Sequence, residues 1–81
     1  MEKIILYSTP SCQYCKMARK FFRDKGVSFV EYNVAEDEKA REEMEGKSHQ
    51  LGVPVIDINN HIFVGFDRRA IEIELEKLHS F

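Results

Sequence analysis

The chain has 81 residues, of which 43% are hydrophobic and 32% are charged, proportions typical of a folded domain and not of a disordered chain. Its 12 Lys and Arg residues against 14 Asp and Glu residues give a net charge of −2, which argues against a nucleic-acid-binding module. The longest apolar run is too short to span a membrane, and the first residues do not resemble a secretory signal. We therefore expect one cytoplasmic domain over residues 1–81, with neither nucleic acid nor membrane as a partner.

Hydrophobic periodicity predicts seven elements in the order β-α-β-α-β-β-α. The predicted strands cover 3–7, 29–33, 55–58 and 62–64, and the predicted helices cover 12–25, 36–47 and the residues after Asp67. A strand–helix–strand start implies a right-handed crossover and parallel pairing. The Asn59-Asn60 pair predicts a tight hairpin turn, because asparagine tolerates positive φ. We expect an α/β fold in which a four-stranded mixed sheet is flanked by three helices.

Single residues mark the ends of the predicted helices and their buried faces. Gly26 stands where a helix-terminating glycine is expected. Asp67 is the predicted N-cap of the last helix. The apolar stripe of that helix consists of Ile71, Leu75 and Leu78. The phenylalanines predicted to lie in the core are Phe21, Phe22, Phe29 and Phe63.

Cys12 and Cys15 are the two cysteines of the chain, and a bridge closing so short a loop would stabilise the fold very little. Cys12 lies at the start of the first predicted helix, where partial positive charge and unpaired N–H groups stabilise a thiolate. Cys15 lies one turn further, on the same side and more buried. This placement predicts that Cys12 attacks a substrate disulfide and that Cys15 resolves the mixed disulfide.

Two other interpretations of the cysteines stay open. A structural zinc ion needs four ligands, and the other candidate ligands, His49, His61 and His79, lack finger-like spacing. An iron–sulfur cluster shared by two copies of the chain needs only one or two thiols from each. The sequence contains no dinucleotide fingerprint. We therefore predict no bound metal or cofactor, and electrons that come from a partner.

The segment from Tyr7 to Lys16, YSTPSCQYCK, resembles the active-site signature of glutaredoxins. The segment GVPVI at 52–56 resembles the cis-proline segment of that family, and VGFD at 64–67 resembles its glycine turn before the last helix. These motifs occur in the family's order over essentially the whole chain, as in small single-domain glutaredoxin-like proteins of bacteria and archaea. The resemblance implies a thioredoxin fold and a monomeric dithiol thiol–disulfide oxidoreductase that acts in electron transport and cell redox homeostasis.

The resemblance also implies roles for individual residues. Cys12 corresponds to the nucleophile and Cys15 to the resolving cysteine, while Tyr14 would flank the opening to the sulfur. Pro54 corresponds to the cis-proline that lies against the disulfide. Its neighbour Val53 would pair its backbone with an extended peptide or with the cysteine of glutathione. Glutathione is therefore the expected co-substrate, and disulfide-containing proteins are the expected partners.

Further glutathione contacts are implied around this centre. Lys47 and Gln50 would meet the glycine carboxylate, and Asp67 would meet the amino group. The glycine turn would contribute Gly65 and Phe66. Phe66 belongs either to the core or to the apolar rim of the site.

Four positions depart from the family pattern. Thr9 stands where glutaredoxins usually have a glutathione-binding lysine, and Gln13 replaces the proline of the active-site motif. Val64 replaces the first glycine of the turn, and Arg68 replaces a second acid after it. These departures resemble the redoxins that serve ribonucleotide reductase and are reduced by thioredoxin reductase, although Tyr14 is typical of glutaredoxins. The electron source is therefore either glutathione or thioredoxin reductase.

Charge is distributed unevenly between the first two predicted helices. The first carries mostly basic residues and the second mostly acidic ones. Two solvated faces would account for this difference. The alternative is that the basic end near Cys12 steers acidic partners toward the thiol.

Overall fold

The computed structural model describes residues 3–78, which contain all seven elements in the predicted order. The strands are β1 (Ile4–Ser8), β2 (Val30–Asn33), β3 (Val55–Ile58) and β4 (His61–Val64). The helices are α1 (Gln13–Asp24), α2 (Glu38–Ser48) and α3 (Arg68–Leu78). Within 3–78, no helix has the length and apolar character needed to cross a membrane.

The four strands form one mixed sheet in the order β2-β1-β3-β4. β1 and β2 are parallel, whereas β3 runs antiparallel to both β1 and β4. The end of β1 and the beginning of β3 therefore meet at one end of the sheet, with Tyr7 opposite Val55 and Val55 opposite Val64. The expected α/β fold with a four-stranded mixed sheet and three helices is confirmed.

The sheet buries a separate apolar cluster on each face. Side chains alternate along β1, so that Ile4 and Leu6 face one cluster while Ile5 and Tyr7 face the other. Helices α1 and α3 cover the first, here called the α1/α3 face, which also buries Ala18, Phe21, Phe22, Ile56, Ile58, Ile71 and Leu75. Helix α2 covers the second, here called the α2 face, which also buries Val34, Ala40, Met44 and Val55.

The predicted phenylalanine core lies entirely on the α1/α3 face. Phe21 and Phe22 are buried, while Phe29 and Phe63 are half-buried and pack against the same cluster. Phe66 also packs there, half-buried. Phe66 therefore contacts the core, which was one of its two predicted environments, and its place at the rim of the active site stays a prediction.

The start of α2 differs from the prediction by two residues. Asp37 is the N-cap, and its Oδ1 accepts a hydrogen bond from the Ala40 N–H at 2.9 Å. The N–H groups of Glu36 and Asp37 donate to the carbonyl of Asn33. These two acids therefore form the turn before the helix, because Asn33 and the Asp37 cap satisfy the backbone groups there.

The turn residues behave as their chemistry predicts. Asn59 and Asn60 have positive φ values of 49° and 74° in the β3–β4 hairpin, and Gly26 has a φ of 70° after α1. Asp67 Oδ1 accepts a hydrogen bond from the Ala70 N–H at 3.2 Å, which makes Asp67 a capping residue for α3. Four strand ends, both ends of α1 and the last residue of α2 move by one residue from their predicted positions.

Candidate active site

Cys12 is the N-cap of α1, with an extended backbone (φ −83°, ψ 114°). Its carbonyl accepts a helical hydrogen bond from the Lys16 N–H at 3.2 Å, and its Sγ accepts one from the Cys15 N–H at 3.1 Å. An N-cap side chain normally presents an oxygen to such an N–H, and here a sulfur takes that place. In the reduced protein, the same N–H and the positive end of the helix favour a thiolate at Cys12.

Cys15 lies one turn into α1 and is fully buried, while Cys12 is half-exposed. The two sulfur atoms form a disulfide whose Cα atoms are 5.2 Å apart. The structure therefore shows the oxidised state of the pair. An incoming sulfur can reach Cys12 from solvent, whereas Cys15 is shielded from solvent.

Pro54 lies at the same end of the sheet as the cysteine pair. The Val53–Pro54 peptide bond is cis, as the family resemblance implied, and Pro54 is buried. Its carbonyl accepts a hydrogen bond from the Gly65 N–H at 2.8 Å. Gly65 has a φ of 84°, in the left-handed region that favours glycine. This bond joins the loop before β3 to the turn after β4, beside the disulfide end of the sheet.

The loop before α1 and the first turn of that helix hold three more predicted site residues. Thr9 is half-buried, and its carbonyl accepts a hydrogen bond from the Cys12 N–H at 3.3 Å. Gln13 and Tyr14 are both exposed, with 61% of the Tyr14 surface accessible. Thr9 therefore contacts Cys12 through its backbone, and the predicted place of Tyr14 beside the opening to the sulfur stays a prediction.

Lys47 is surrounded by internal acceptors on the α2 face. Its Nζ lies 2.8 Å from the Tyr7 hydroxyl, 2.8 Å from Asp57 Oδ2 and 3.5 Å from Glu43 Oε1. Burial alone would lower the pKa of Lys47, but the hydrogen bonds to Asp57 and Tyr7 outweigh it and raise that pKa. An ammonium has three donors, so a glutathione carboxylate would share Lys47 with these partners.

Gln50 folds back onto its own loop. Its Oε1 accepts a hydrogen bond from the Gly52 N–H, and its Nε2 donates to Ser48 Oγ at 3.0 Å and to the Gly52 carbonyl at 3.1 Å. The amide therefore braces the segment that leads from α2 to Pro54. Its predicted contact with the glycine carboxylate of glutathione stays a prediction.

An ion pair beside the active-site helix was not predicted from the sequence. Arg19 on α1 donates two hydrogen bonds to Glu31 on β2, and Ser8 Oγ on β1 donates to Glu31 Oε2 at 2.7 Å. The hydrogen bond from Arg19 is the main reason that the pKa of Glu31 lies below its ordinary value. The sequence offered one signal for this ion pair, which is an acidic residue inside a short strand. Asp57 in β3 is a second acid of this kind, and it also has a charged partner.

The histidines considered as metal ligands occupy separate places. His49 is the C-cap of α2 with a φ of 59°, and His61 Nδ1 lies 3.0 Å from Glu74 Oε2. His79 lies outside the described residues. Over residues 3–78, no three His, Cys, Asp or Glu side chains form a group that could hold a metal ion. The zinc and iron–sulfur alternatives stay untested predictions.

A four-stranded mixed sheet flanked by helices, a Cys-x-x-Cys pair at the start of α1 and a cis-proline before β3 define a dithiol thiol–disulfide oxidoreductase with the thioredoxin fold. The family model for glutaredoxin matches residues 4–63. The chain belongs to the glutaredoxin family.

Individual relatives support this assignment. The chain is 47% identical over 74 residues to a glutaredoxin-like 8.6 kDa protein in the rubredoxin operon of Clostridium pasteurianum, covering 91% of this chain and 99% of that one. It is 34% identical over 67 residues to glutaredoxin 3 of Escherichia coli (strain K12), covering 83% and 81%. The crystal structure of the glutaredoxin from Methanosarcina mazei Go1 superimposes with a TM-score of 0.80 at 30% identity, covering 90% and 77%.

Proposed function

We propose that this protein reduces protein disulfides and glutathione mixed disulfides, with Cys12 as the nucleophile and Cys15 as the resolving thiol. One observation carries the proposal. Cys12 Sγ accepts the Cys15 N–H at the N-terminus of α1, and Cys12 is the member of the pair that solvent reaches. The helix terminus favours a thiolate at the exposed sulfur, and burial protects the second sulfur until the first has reacted.

The reaction consists of two exchanges. The Cys12 thiolate attacks one sulfur of the substrate disulfide, forms a mixed disulfide and releases the other substrate sulfur as a thiolate. Cys15 then loses its proton and attacks Cys12 Sγ, which expels the second substrate thiol. Two electrons have passed from the protein to the substrate. The product is the Cys12–Cys15 disulfide seen in the structure.

Pro54 and Val53 are the proposed docking backbone for the substrate. The Gly65 N–H donates to the Pro54 carbonyl and ties this loop to the turn after β4, which supports a docking role at the end of the sheet where α1 begins. An extended segment next to the substrate cysteine would pair with the backbone of Val53, in the manner of an added strand. Tyr14 would cover one side of the bound sulfur.

Glutathione is the proposed co-substrate that returns electrons to the Cys12–Cys15 disulfide, and the cytoplasm is the proposed compartment, since a reducing dithiol needs reducing surroundings. Thioredoxin reductase is the second candidate. Two observations favour that second candidate: Thr9 replaces the usual glutathione-binding lysine, and Lys47 has internal partners.

Two coupled assays separate these electron sources. The first supplies glutathione, glutathione reductase and NADPH with a small disulfide substrate, and the second supplies thioredoxin reductase and NADPH. We expect NADPH oxidation in the first assay. Activity in the second assay alone would assign the protein to the thioredoxin reductase pathway, and inactivity in both would contradict the oxidoreductase function.

Cysteine variants test the two roles. Cys15→Ser should accumulate a mixed disulfide between Cys12 and the substrate, visible by mass spectrometry, while Cys12→Ser should form none. Alkylation of Cys12 in the reduced protein should reach half its maximal rate at a pH below the free-cysteine pKa of about 8.5. A midpoint at or above that value would contradict thiolate stabilisation by the helix.

A further inference from the structure

A groove of about 430 Å³ lies between α1 and the segment that leads into α3. Its apolar floor is formed by Met17, Phe21 and Phe66. The rings of Phe21 and Phe66 are 5.6 Å apart, and Met17 is 51% exposed. A thioether adapts to apolar partners of different shape, and an aromatic pair offers broad apolar area. The groove can therefore receive a large apolar side chain.

The rim of the groove is basic. Lys20, Lys25 and Arg68 line it, against a single lining acid within residues 3–78, Asp24. The Lys25 Nζ and the Arg68 guanidinium carbon lie 5.5 and 5.4 Å from the centre of the Phe21 ring. These contacts hold both cations directly beside the apolar floor. A ligand that places an apolar group on the floor therefore meets positive charge at its edges.

The acids near the rim leave much of this charge available. Asp24 pairs with Lys20 at 2.7 Å, but the side chains of Asp24 and Lys20 are 62% and 77% exposed, and such pairs are weak and exchangeable. Glu72 lies 3.7 Å from Lys25 and 4.0 Å from Arg68. Both of these distances are too long for strong hydrogen bonds.

Both walls of the groove lead away from the active site. On α1, Tyr14 of the Cys-x-x-Cys motif and Met17 are three residues apart, so that they lie on one side of the helix, and both are more than half exposed. On the other wall, Phe66 follows Gly65, whose N–H donates to the Pro54 carbonyl. A chain whose sulfur is attacked by Cys12 can continue directly along this surface.

We propose that the groove binds an acidic segment of the protein whose disulfide is reduced, with a large apolar side chain on the floor and carboxylates against the rim. The proposal rests on the proposed function, because the bound segment belongs to the substrate of Cys12. Charge complementarity selects the occupant: the three cations of the rim outnumber the neighbouring acids Asp24 and Glu72, so the rim attracts an apolar residue flanked by acids and disfavours a basic segment.

The helix sets the spacing between the substrate cysteine and its apolar residue. A rise of about 1.5 Å per residue places Phe21 roughly 13 Å along α1 from Cys12. An extended peptide covers about 3.3 Å per residue. The apolar residue should therefore lie about four residues from the substrate cysteine.

Synthetic peptides with one cysteine in a mixed disulfide with thionitrobenzoate test this proposal. The first peptide carries Phe between two Glu residues, with Phe about four positions from the cysteine. The second replaces both Glu residues by Gln, and the third places Phe next to the cysteine. Stopped-flow release of thionitrobenzoate by the reduced protein should be about fivefold faster for the first peptide at low salt, equivalent to two weak ion pairs.

Matched variants assign the effect to the groove. Lys20→Gln with Lys25→Gln should abolish the preference for the acidic peptide. Lys3→Gln with Lys39→Gln removes the same charge from exposed lysines outside the groove and should preserve it. Both double variants should reduce 2-hydroxyethyl disulfide at the rate of the unchanged protein, which reports an intact active site.

The outcomes distinguish the groove from the active site. Equal rates for the three peptides, each reduced normally, would overturn the docking proposal and leave the proposed function intact. Failure to reduce any probe would overturn the proposed function and the docking proposal with it. Self-association that Met17→Ala abolishes would assign the groove to a second copy of the chain, which would also overturn the proposal.

Discussion

The two faces of the sheet are covered by different kinds of interaction. On the α1/α3 face, aliphatic and aromatic side chains form the buried cluster, and the ring of Phe22 lies 5.6 Å from that of Phe21 and 5.4 Å from that of Phe29. On the α2 face, a smaller apolar cluster adjoins a network of polar side chains, consisting of Tyr7, Glu43, Lys47 and Asp57. The same sheet therefore holds α1 mainly by packing, with the Arg19–Glu31 ion pair at its β2 edge, and the end of α2 by directed hydrogen bonds.

This difference matches what each helix delivers to the active site. Helix α1 carries Cys12 at its N-cap and Cys15 in its first turn, and packing along its buried stripe together with the Arg19–Glu31 ion pair positions them. Helix α2 ends in the loop that leads to Pro54, and that loop has no strand or helix of its own. Hydrogen bonds specify geometry more narrowly than apolar contacts do. The Lys47 network therefore fixes the point from which the Pro54 loop departs.

The largest loss of stability is expected from the α1/α3 face. Phe22→Ala removes a fully buried ring and should cost about 3–5 kcal/mol of unfolding free energy, measured by urea denaturation. Met44→Ala, at a fully buried position on the α2 face, should cost about 2–4 kcal/mol. Should Phe22→Ala prove unfolded, the ranking test is repeated with Phe22→Leu against the matched change Met44→Leu. A larger loss at Met44 than at Phe22 would reverse the comparison between the faces.

The contribution of the Lys47 network to stability should be measurable when the buried acid in it loses its partner. Lys47→Met leaves Asp57, whose side chain is 5% exposed, without its ammonium partner, and should cost about 2–3 kcal/mol in urea denaturation. Adding Asp57→Asn should recover part of this loss, because the amide keeps an acceptor for the Asn60 N–H and carries no charge. If the double variant were no more stable than Lys47→Met, the buried charge would not be the source of the cost.

Sequence patterns predicted what depends on neighbours along the chain. Local residues were sufficient to predict the order of helices and strands and the position of Cys12 at a helix start. They also predicted the Asn59-Asn60 turn and the Asp67 cap. The partners of Lys47 do not, since Tyr7 and Asp57 lie 40 and 10 residues away. A contact of this kind depends on how α2 is placed against the sheet.

The groove between α1 and the segment before α3 could not be predicted from the sequence, for a related reason. Helical spacing groups Met17 with Phe21, which suggests one buried stripe, yet Met17 is 51% exposed and Phe21 is buried. The spacing indicates that Met17 and Phe21 lie on the same side of α1. It does not indicate how far along α1 the segment before α3 extends. In this fold, the segment before α3 covers Phe21 with Phe66 and leaves Met17 open.

A smaller and pH-dependent loss is expected where α1 meets β2. The Arg19 hydrogen bond lowers the pKa of Glu31 in the folded protein, so this contribution is full above the unfolded pKa of about 4.3 and is lost as the pH falls through the folded pKa. Glu31→Gln should therefore cost about 1–2 kcal/mol at pH 7 and much less at pH 3, by urea denaturation. Glu42→Gln, at an exposed site on α2, should change stability by less than about 0.5 kcal/mol at either pH.

The smallest effect on stability is expected at the rim of the groove. Lys20 and Asp24 form an exposed pair one turn apart on α1, and such pairs contribute about 0.3–0.5 kcal/mol, which salt screens. Lys20→Gln should therefore leave the urea midpoint almost unchanged, while slowing the reaction with the acidic peptide. A loss above about 1 kcal/mol would show that Lys20 supports the fold. If Lys20→Gln instead leaves the free energy of unfolding nearly unchanged and alters the preference between peptides, the two roles of α1 are separate. Its buried side chains then stabilise the fold, and its exposed edge recognises the substrate.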